Sequence, residues 1–194
     1  ERLAQISPGQ LGEDLKAILR EPPDPQALAR LGQIPSINAL LRTTAVATML
    51  EAGHAPNALP QTATAVVNVR MMPGQDVEDV LDTLVKVVDN PAIDVVFTGG
   101  GRPSDPSPLT AEIIGAVEST TQAMWPGVVV LPTMTTGATD GAKMRNAGIP
   151  TYGVSGLFID RNDVRAHGRD ERLLVKSFYQ GYEFMYRLIK KLSS

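Results

Sequence analysis

Ten residues, Thr62 to Met71, leave this chain the fewest structural choices. Thr62-Ala63-Thr64-Ala65-Val66-Val67-Asn68-Val69-Arg70-Met71 is rich in β-branched residues and is stopped by Pro73-Gly74, so it predicts a long strand. The period of two puts Asn68 and Arg70 on one face. A second strand is predicted from Arg42 to Leu50, where Thr43, Thr44, Val46 and Thr48 favour extended backbone. Gln75 or Asp76 can cap a helix from Val77 to Asp89, whose stripe is Val77, Val80, Leu81, Leu84, Val85 and Val88. Asn90-Pro91 ends it, Ile93 to Thr98 reads as a short strand, and Gly99-Gly100-Gly101 as a joint. Strand, strand, helix, strand is the order of the second half of a split βαβ sandwich whose opening strand and helix are absent. The sheet edge left open by a missing strand favours pairing with another chain, so a homodimer is expected.

On either side the pattern changes. Leu11, Leu15, Ile18 and Leu19 recur at helical spacing over Gln10–Arg20, and Glu21-Pro22-Pro23-Asp24-Pro25 ends that helix before a second over Gln26–Gly32. After the proline-rich connector Pro103 to Pro108, Thr110 caps a helix reaching Met124. Val128–Leu131 and Ile149–Val154 are continuous apolar runs that predict buried parallel strands. Between them lie the small-residue loop Thr135–Gly141 and a short helix to Asn146. A last helix, Leu173–Leu192, carries a broad apolar and aromatic face. The expected fold is therefore α/β, with a partial two-layer α/β-sandwich domain at residues 1–100 and a partial parallel-sheet domain at residues 101–194.

Net charge −3 with both signs interspersed gives no clustered basic face for nucleic acid. No run of 18 apolar residues exists to span a membrane, so a soluble protein is expected, its compartment undecided. The absence of cysteine excludes disulfides, thiolate metal sites and cysteine nucleophiles. The opening Glu1-Arg2 is neither an initiator methionine nor a signal peptide, and the natural N-terminus is expected upstream.

Three loops concentrate the polar chemistry. Asp163-Val164-Arg165-Ala166-His167-Gly168-Arg169-Asp170-Glu171-Arg172 holds one of the two histidines. Its imidazole reads either as a metal ligand whose ring Asp170 could orient, or as a surface residue in a charged turn. Gly137-Ala138-Thr139-Asp140 reads as amides and a hydroxyl for a carboxylate or oxyanion, or as a turn with a helix cap. Asn57, in the His54–Asn57 loop, is an oxyanion donor or a turn residue, and Arg70 a carboxylate clamp or an exposed strand residue. Neither a GxGxxG nor a Walker pattern is present, and no Ser/His/Asp order can be assembled.

Taken together, the motifs go further. Gly53-His54-Ala55-Pro56-Asn57-Ala58-Leu59-Pro60 followed by Ala65-Val66-Val67-Asn68-Val69-Arg70-Met71-Met72-Pro73-Gly74 resembles the middle domain of the dinuclear-zinc aminoacylase and carboxypeptidase family. Thr136–Asp140, Gly148–Gly153 and Ala166-His167-Gly168-Arg169-Asp170-Glu171 resemble its C-terminal catalytic segment, and the motifs follow the family's order from Arg42 to Leu192. The forms Gly-His-Ala-Pro-Asn and Gly153-Val154-Ser155-Gly156-Leu157-Phe158 are most similar to the Gly-X carboxypeptidase and N-acyl-amino-acid hydrolase branch.

The resemblance implies a lid and dimerisation domain at residues 1–100 and the C-terminal part of a zinc-peptidase-like catalytic domain at residues 101–194. The implied reaction is hydrolysis of an amide next to a free carboxylate, in a dipeptide or N-acyl amino acid, with two zinc ions per subunit. It implies that His167 is a metal ligand and that Asn57, Arg70, Gly137 and Thr139 bind substrate. The family's His-x-Asp motif and Glu-Glu pair, which supply other ligands and the general base, occur nowhere in this chain. It is therefore expected to be the C-terminal portion of such an enzyme and inactive alone. A non-catalytic dimerisation or ligand-binding module and an unrelated α/β ligand-binding protein are the alternatives.

Overall fold

The computed structural model describes residues 1–100, 103–160 and 163–194. Two compact units emerge, one of residues 1–106 with 133–146, the other of residues 107–132 with 147–194.

The first unit begins with four short helices, α1 (Arg2–Ile6), α2 (Gly9–Ala17), α3 (Pro25–Gly32) and α4 (Pro35–Leu41). Apolar side chains at helical spacing converge on a small core of Ala4, Leu15 and Leu31, closed by Leu11, Ile18, Ile37 and Leu41. Leu31 is 1% exposed. Asp24 starts α3 by accepting from the amides of Gln26 at 2.8 Å and Ala27 at 3.0 Å, with Pro25 in the first turn. An ion pair crosses from α2 to α3, its carboxylate buried and its guanidinium half-exposed. Asp14, 4% exposed, accepts from Arg30 Nε at 2.9 Å and NH2 at 2.6 Å, and from Gln10 Nε2 at 2.8 Å. The approach of α1 to α2 needs Gly12, where a β-carbon would lie 2.3 Å from the Ser7 carbonyl oxygen. Helices α1 and α4 are not anticipated by the sequence pattern. Pro35 stands at the first position of α4, where the missing N–H has no intrahelical partner to lose.

Strands β1 (Thr44–Ala52) and β2 (Ala63–Arg70) form an antiparallel ribbon running from Thr44 opposite Arg70 to Ala52 opposite Ala63. The register shifts between Ala47 and Met49, and the Thr48 hydroxyl there donates to the Val66 carbonyl at 3.3 Å. Past β2 the chain is clasped by the Met72 amide, which donates to Thr43 Oγ1 at 3.1 Å and Gln75 Oε1 at 3.0 Å. Helix α5 (Val77–Val88) follows, capped by Asp76 accepting from the Glu78 amide at 2.8 Å and closed by left-handed Asp89. Ile93–Thr98, expected as a strand, carries no ladder. The expected joint reaches Gly101, which lies outside the described residues. Helix α7 (Gly141–Asn146) completes this unit, and Arg145 Nε donates to Ser104 Oγ at 3.0 Å.

In the second unit α6 (Ala111–Met124) packs on α8 (Val175–Leu192). The core is Ala116, Val117, Phe184 and Leu188, with Met124, Trp125, Val130, Val154 and Met185 against it. Trp125 stacks on Phe184 at 5.5 Å and meets Phe158 edge-on at 4.8 Å. Two glycines allow one close crossing. A β-carbon on Gly181 would lie 2.4 Å from Leu157 Cδ2, and one on Gly156 (φ 63°) would lie 2.6 Å from Phe184 Cγ. Ser107 joins the two chain segments of this unit, accepting from the Thr151 amide at 2.8 Å and donating to its carbonyl at 2.9 Å.

The α/β class stands, as mixed helices with a small antiparallel sheet. The parallel sheet does not form among the described residues, whose one sheet is the β1–β2 ribbon, and Val128–Leu131 and Ile149–Val154 are not strands. A parallel strand needs a bonded neighbour and cover on both faces. Here Val130 and Val154 pack on the helical core, while Val129 and Ile149 stay exposed.

Candidate functional site

Asn57 and Arg70 lie at opposite ends of the ribbon. Asn57 sits in the loop between the strands, inside the turn where the Ala58 amide donates to the Ala55 carbonyl at 3.3 Å. Arg70 is the last residue of β2, opposite Thr44, on the same face as Asn68. Both side chains are exposed, as is His54. The structure therefore does not bring Asn57 beside Arg70.

Gly137 and Thr139 are closer in role. The Gly137 amide donates to Thr135 Oγ1 at 3.3 Å, and Thr139 Oγ1 accepts from the Gly141 amide at 3.2 Å, so the threonine caps α7. Asp140 follows, paired with Lys143 at 3.0 Å. An open groove lined by Gly100, Ala138, Thr139, Asp140, Ala142, Lys143 and Asn146 runs alongside. The Thr139 hydroxyl serves the helix start and can still donate its proton into that groove.

His167 belongs to the second unit. It is exposed and has φ 65°, the left-handed region that few residues other than glycine adopt. The Gly168 amide donates to the Arg165 carbonyl at 2.9 Å, which makes His167 the third residue of a tight turn. Around it four charges are paired, those of Asp163, Arg165, Asp170 and Arg172. Asp163 accepts from Arg165 Nε at 2.5 Å and from Arg172 through Nε at 2.9 Å and NH2 at 2.7 Å. Arg165 also pairs with Asp170. Hydrogen bonds from Arg165 first and Arg172 second hold the Asp163 carboxyl below the usual carboxylate range. Asp170 thus faces Arg165, where the sequence had suggested that it could orient the histidine ring.

A neutral imidazole at an exposed turn suits one metal-ligand position. It is no metal centre by itself: among the described residues no three His, Cys, Asp or Glu side chains gather closely enough to hold an ion. No described helix is long and apolar enough to cross a membrane.

The sequence pattern missed the Asp14–Arg30 pair, because residues 16 positions apart on different helices carry no local signal. It also missed the strained backbone of His167. The only hint there was Gly168, which follows the histidine and has little room for a side chain.

Comparison with known proteins adds the following. Residues 8–96 match the peptidase dimerisation domain. The chain is 31% identical to the probable carboxypeptidase S-like 2 of Dictyostelium discoideum, over 80% of this chain and 30% of that protein. It is 29% identical to the N-fatty-acyl-amino acid synthase/hydrolase of Homo sapiens, over 80% of this chain and 32% of that protein. To the aminoacylase-1B of Rattus norvegicus it is 27% identical, over 85% and 40%. The chain thus spans 30–40% of the length of these curated relatives. Among solved structures, an M20 family metallo-carboxypeptidase from Sulfolobus solfataricus superposes with a TM-score of 0.62 at 15% identity, covering 98% of this chain and 44% of that one, which shows a shared fold.

Proposed function

We propose that the chain belongs to the M20 peptidase family, which the match of residues 8–96 and the carboxypeptidase-like relatives support, and that it is the C-terminal portion of a zinc-dependent exopeptidase or amidohydrolase that cleaves an amide next to a free carboxylate. Residues 1–100 are its partial lid and dimerisation domain and residues 101–194 the C-terminal part of its catalytic domain. The observation that carries this reading is His167, an exposed imidazole held in a strained turn by paired charges. Strain of that kind persists where the surroundings enforce it and gathers at functional sites.

His167 supplies one ligand of a centre with two zinc ions per subunit. Bound metal in such a centre polarises the scissile carbonyl and activates a water. Arg70 is assigned to the substrate carboxylate and Asn57 to the carbonyl oxygen as charge develops on it, two contacts that one chain, with these residues at opposite ends of its ribbon, does not make to a single small substrate. Thr139 lines the groove that takes the remainder of the substrate, and Gly137 stands just before that lining, next to Ala138. The general-base glutamate and the remaining ligands come from outside this chain, which is therefore inactive alone. The carboxypeptidase and N-fatty-acyl-amino acid hydrolase names of the relatives support a dipeptide or N-acyl amino acid as substrate. The match to a dimerisation domain supports a homodimer.

A non-catalytic dimerisation or ligand-binding module is the second reading, favoured by the lack of a metal cluster among the described residues. Metal content and N-acyl-amino-acid hydrolysis, measured on this chain and on a form extended upstream, separate the two. About two zinc ions per subunit and activity in the extended form alone support the hydrolase. A natural start near Glu1 with no bound metal overturns it in favour of the module.

A further inference from the structure

We propose that Arg165 is a positioning residue that sets the direction of the His167 imidazole. The inference deepens the reading of His167 as a ligand and rests on that reading for its functional consequence.

Arg165 reaches both sides of the turn that contains the histidine. Its Nε donates to Asp163 Oδ1 at 2.5 Å and its NH1 to Asp170 Oδ2, while Arg172 occupies the other oxygen of Asp163 at 2.7 and 2.9 Å. Four side chains thus form an alternating series, Arg172, Asp163, Arg165 and Asp170, that ties the two ends of a ten-residue loop to its middle. Arg165 is also the residue whose carbonyl accepts the Gly168 amide at 2.9 Å, so its backbone closes the turn that its side chain braces. Gly168 seals the far side, where an added β-carbon would lie 3.0 Å from the Arg165 carbonyl oxygen and 3.3 Å from Asp170 Oδ1.

A histidine at the third position of a tight turn with φ 65° takes the place usually filled by glycine. Such a residue relaxes unless its surroundings over-determine it. The nearby carboxylate best placed in sequence to orient the ring is Asp170, and it is engaged by Arg165. Orientation therefore comes through the backbone that Arg165 holds. A planar guanidinium can serve two carboxylates in fixed directions, whereas an ammonium acts as a point charge. Because these pairs are 30–63% exposed, their contribution to global stability is small, and the effect of losing them is local.

The test is imidazole NMR on the whole 194-residue chain, with its two histidines assigned through His54→Gln and His167→Gln. Arg165→Ala is expected to move the His167 ring resonances to those of an unstructured peptide and to remove exchange protection at the Gly168 and Glu171 amides. The His54 signals and the melting midpoint stay where they were. Arg165→Lys, which keeps the charge, is expected to move the His167 signals part of the way. His167 resonances unchanged in Arg165→Ala overturn the proposal. Should that variant fail to fold, unchanged resonances in Arg165→Lys do so. Metal content of the upstream-extended form is scored separately: no metal there overturns the ligand reading and leaves the hold of Arg165 on the ring intact, and a ring indifferent to Arg165 does the reverse.

Discussion

The helical segment at residues 2–41 and the ribbon at residues 44–70 belong to one unit and meet their needs in opposite ways. The helices close a core of their own, with Leu31 at 1% exposure and even a carboxylate, Asp14, taken inside and held by a half-exposed arginine. The ribbon leaves apolar side chains bare on both strands, among them Val46, Met49, Leu50 at 81%, Val66 and Val67. A two-stranded ribbon is marginal by itself in water, and a bare apolar surface of this kind marks a contact site. The difference teaches that the dimerisation-domain match joins two kinds of surface: a self-sufficient helical cap and a sheet that needs company.

Four experiments can break or sharpen that contrast. Leu31→Ala should lower the free energy of unfolding by about 2–5 kcal/mol in denaturant melts, because the closed helical core cannot refill the space. Gly12→Ala should cost about 1–3 kcal/mol, since its β-carbon must displace backbone at Ser7. Leu50→Glu on the ribbon should change the folding of the monomer by no more than about 0.5 kcal/mol. The same variant should weaken the proposed dimer at least about tenfold, about 1.4 kcal/mol, by sedimentation. A ribbon variant as damaging to the monomer as Leu31→Ala would erase the distinction.

The smallest effect is that of acid. The Arg30 hydrogen bond, more than any other contact, lowers the Asp14 carboxyl, as Arg165 and then Arg172 lower Asp163. A carboxyl depressed in the folded state contributes stability above its unfolded pKa and loses it as pH falls through the folded value. Melting midpoints should therefore fall on acidification below the usual carboxylate range. Asp14→Asn should flatten that slope more than Asp163→Asn, because Asp163 is 30% exposed.

What the sequence revealed follows from the range of the forces involved. The stripe and caps of α5, the Thr110 cap of α6 and the long face of α8 are local, and each helix lies within two residues of its expected bounds. A helix cap within Gly137–Asp140 was legible for the same reason, and the structure gives Thr139 as the residue that accepts from Gly141. Val128–Leu131 and Ile149–Val154 have strand composition, but a strand is made by its neighbour, and composition does not supply one. Asn57 and Arg70 could be placed on a loop and a strand face. Their separation to opposite ends of the ribbon follows from a pairing register that no local pattern shows. The left-handed backbone of His167 was illegible because residue type suggested an ordinary φ, and the ion pairs around the turn join residues as far as nine positions apart.

Gly181 has an effect on the side of α8 away from it. Leu157 and the Ser155 carbonyl fill the notch where its side chain would stand, which locks the rotation of the helix about its own axis. With Phe184 and Leu188 turned inward by that lock, Tyr179, Tyr182 and Tyr186 have no choice but to point outward, with Tyr182 at 69% exposure. The aromatic face that the terminal helix shows the world is thus dictated by an atom that is missing on its hidden side.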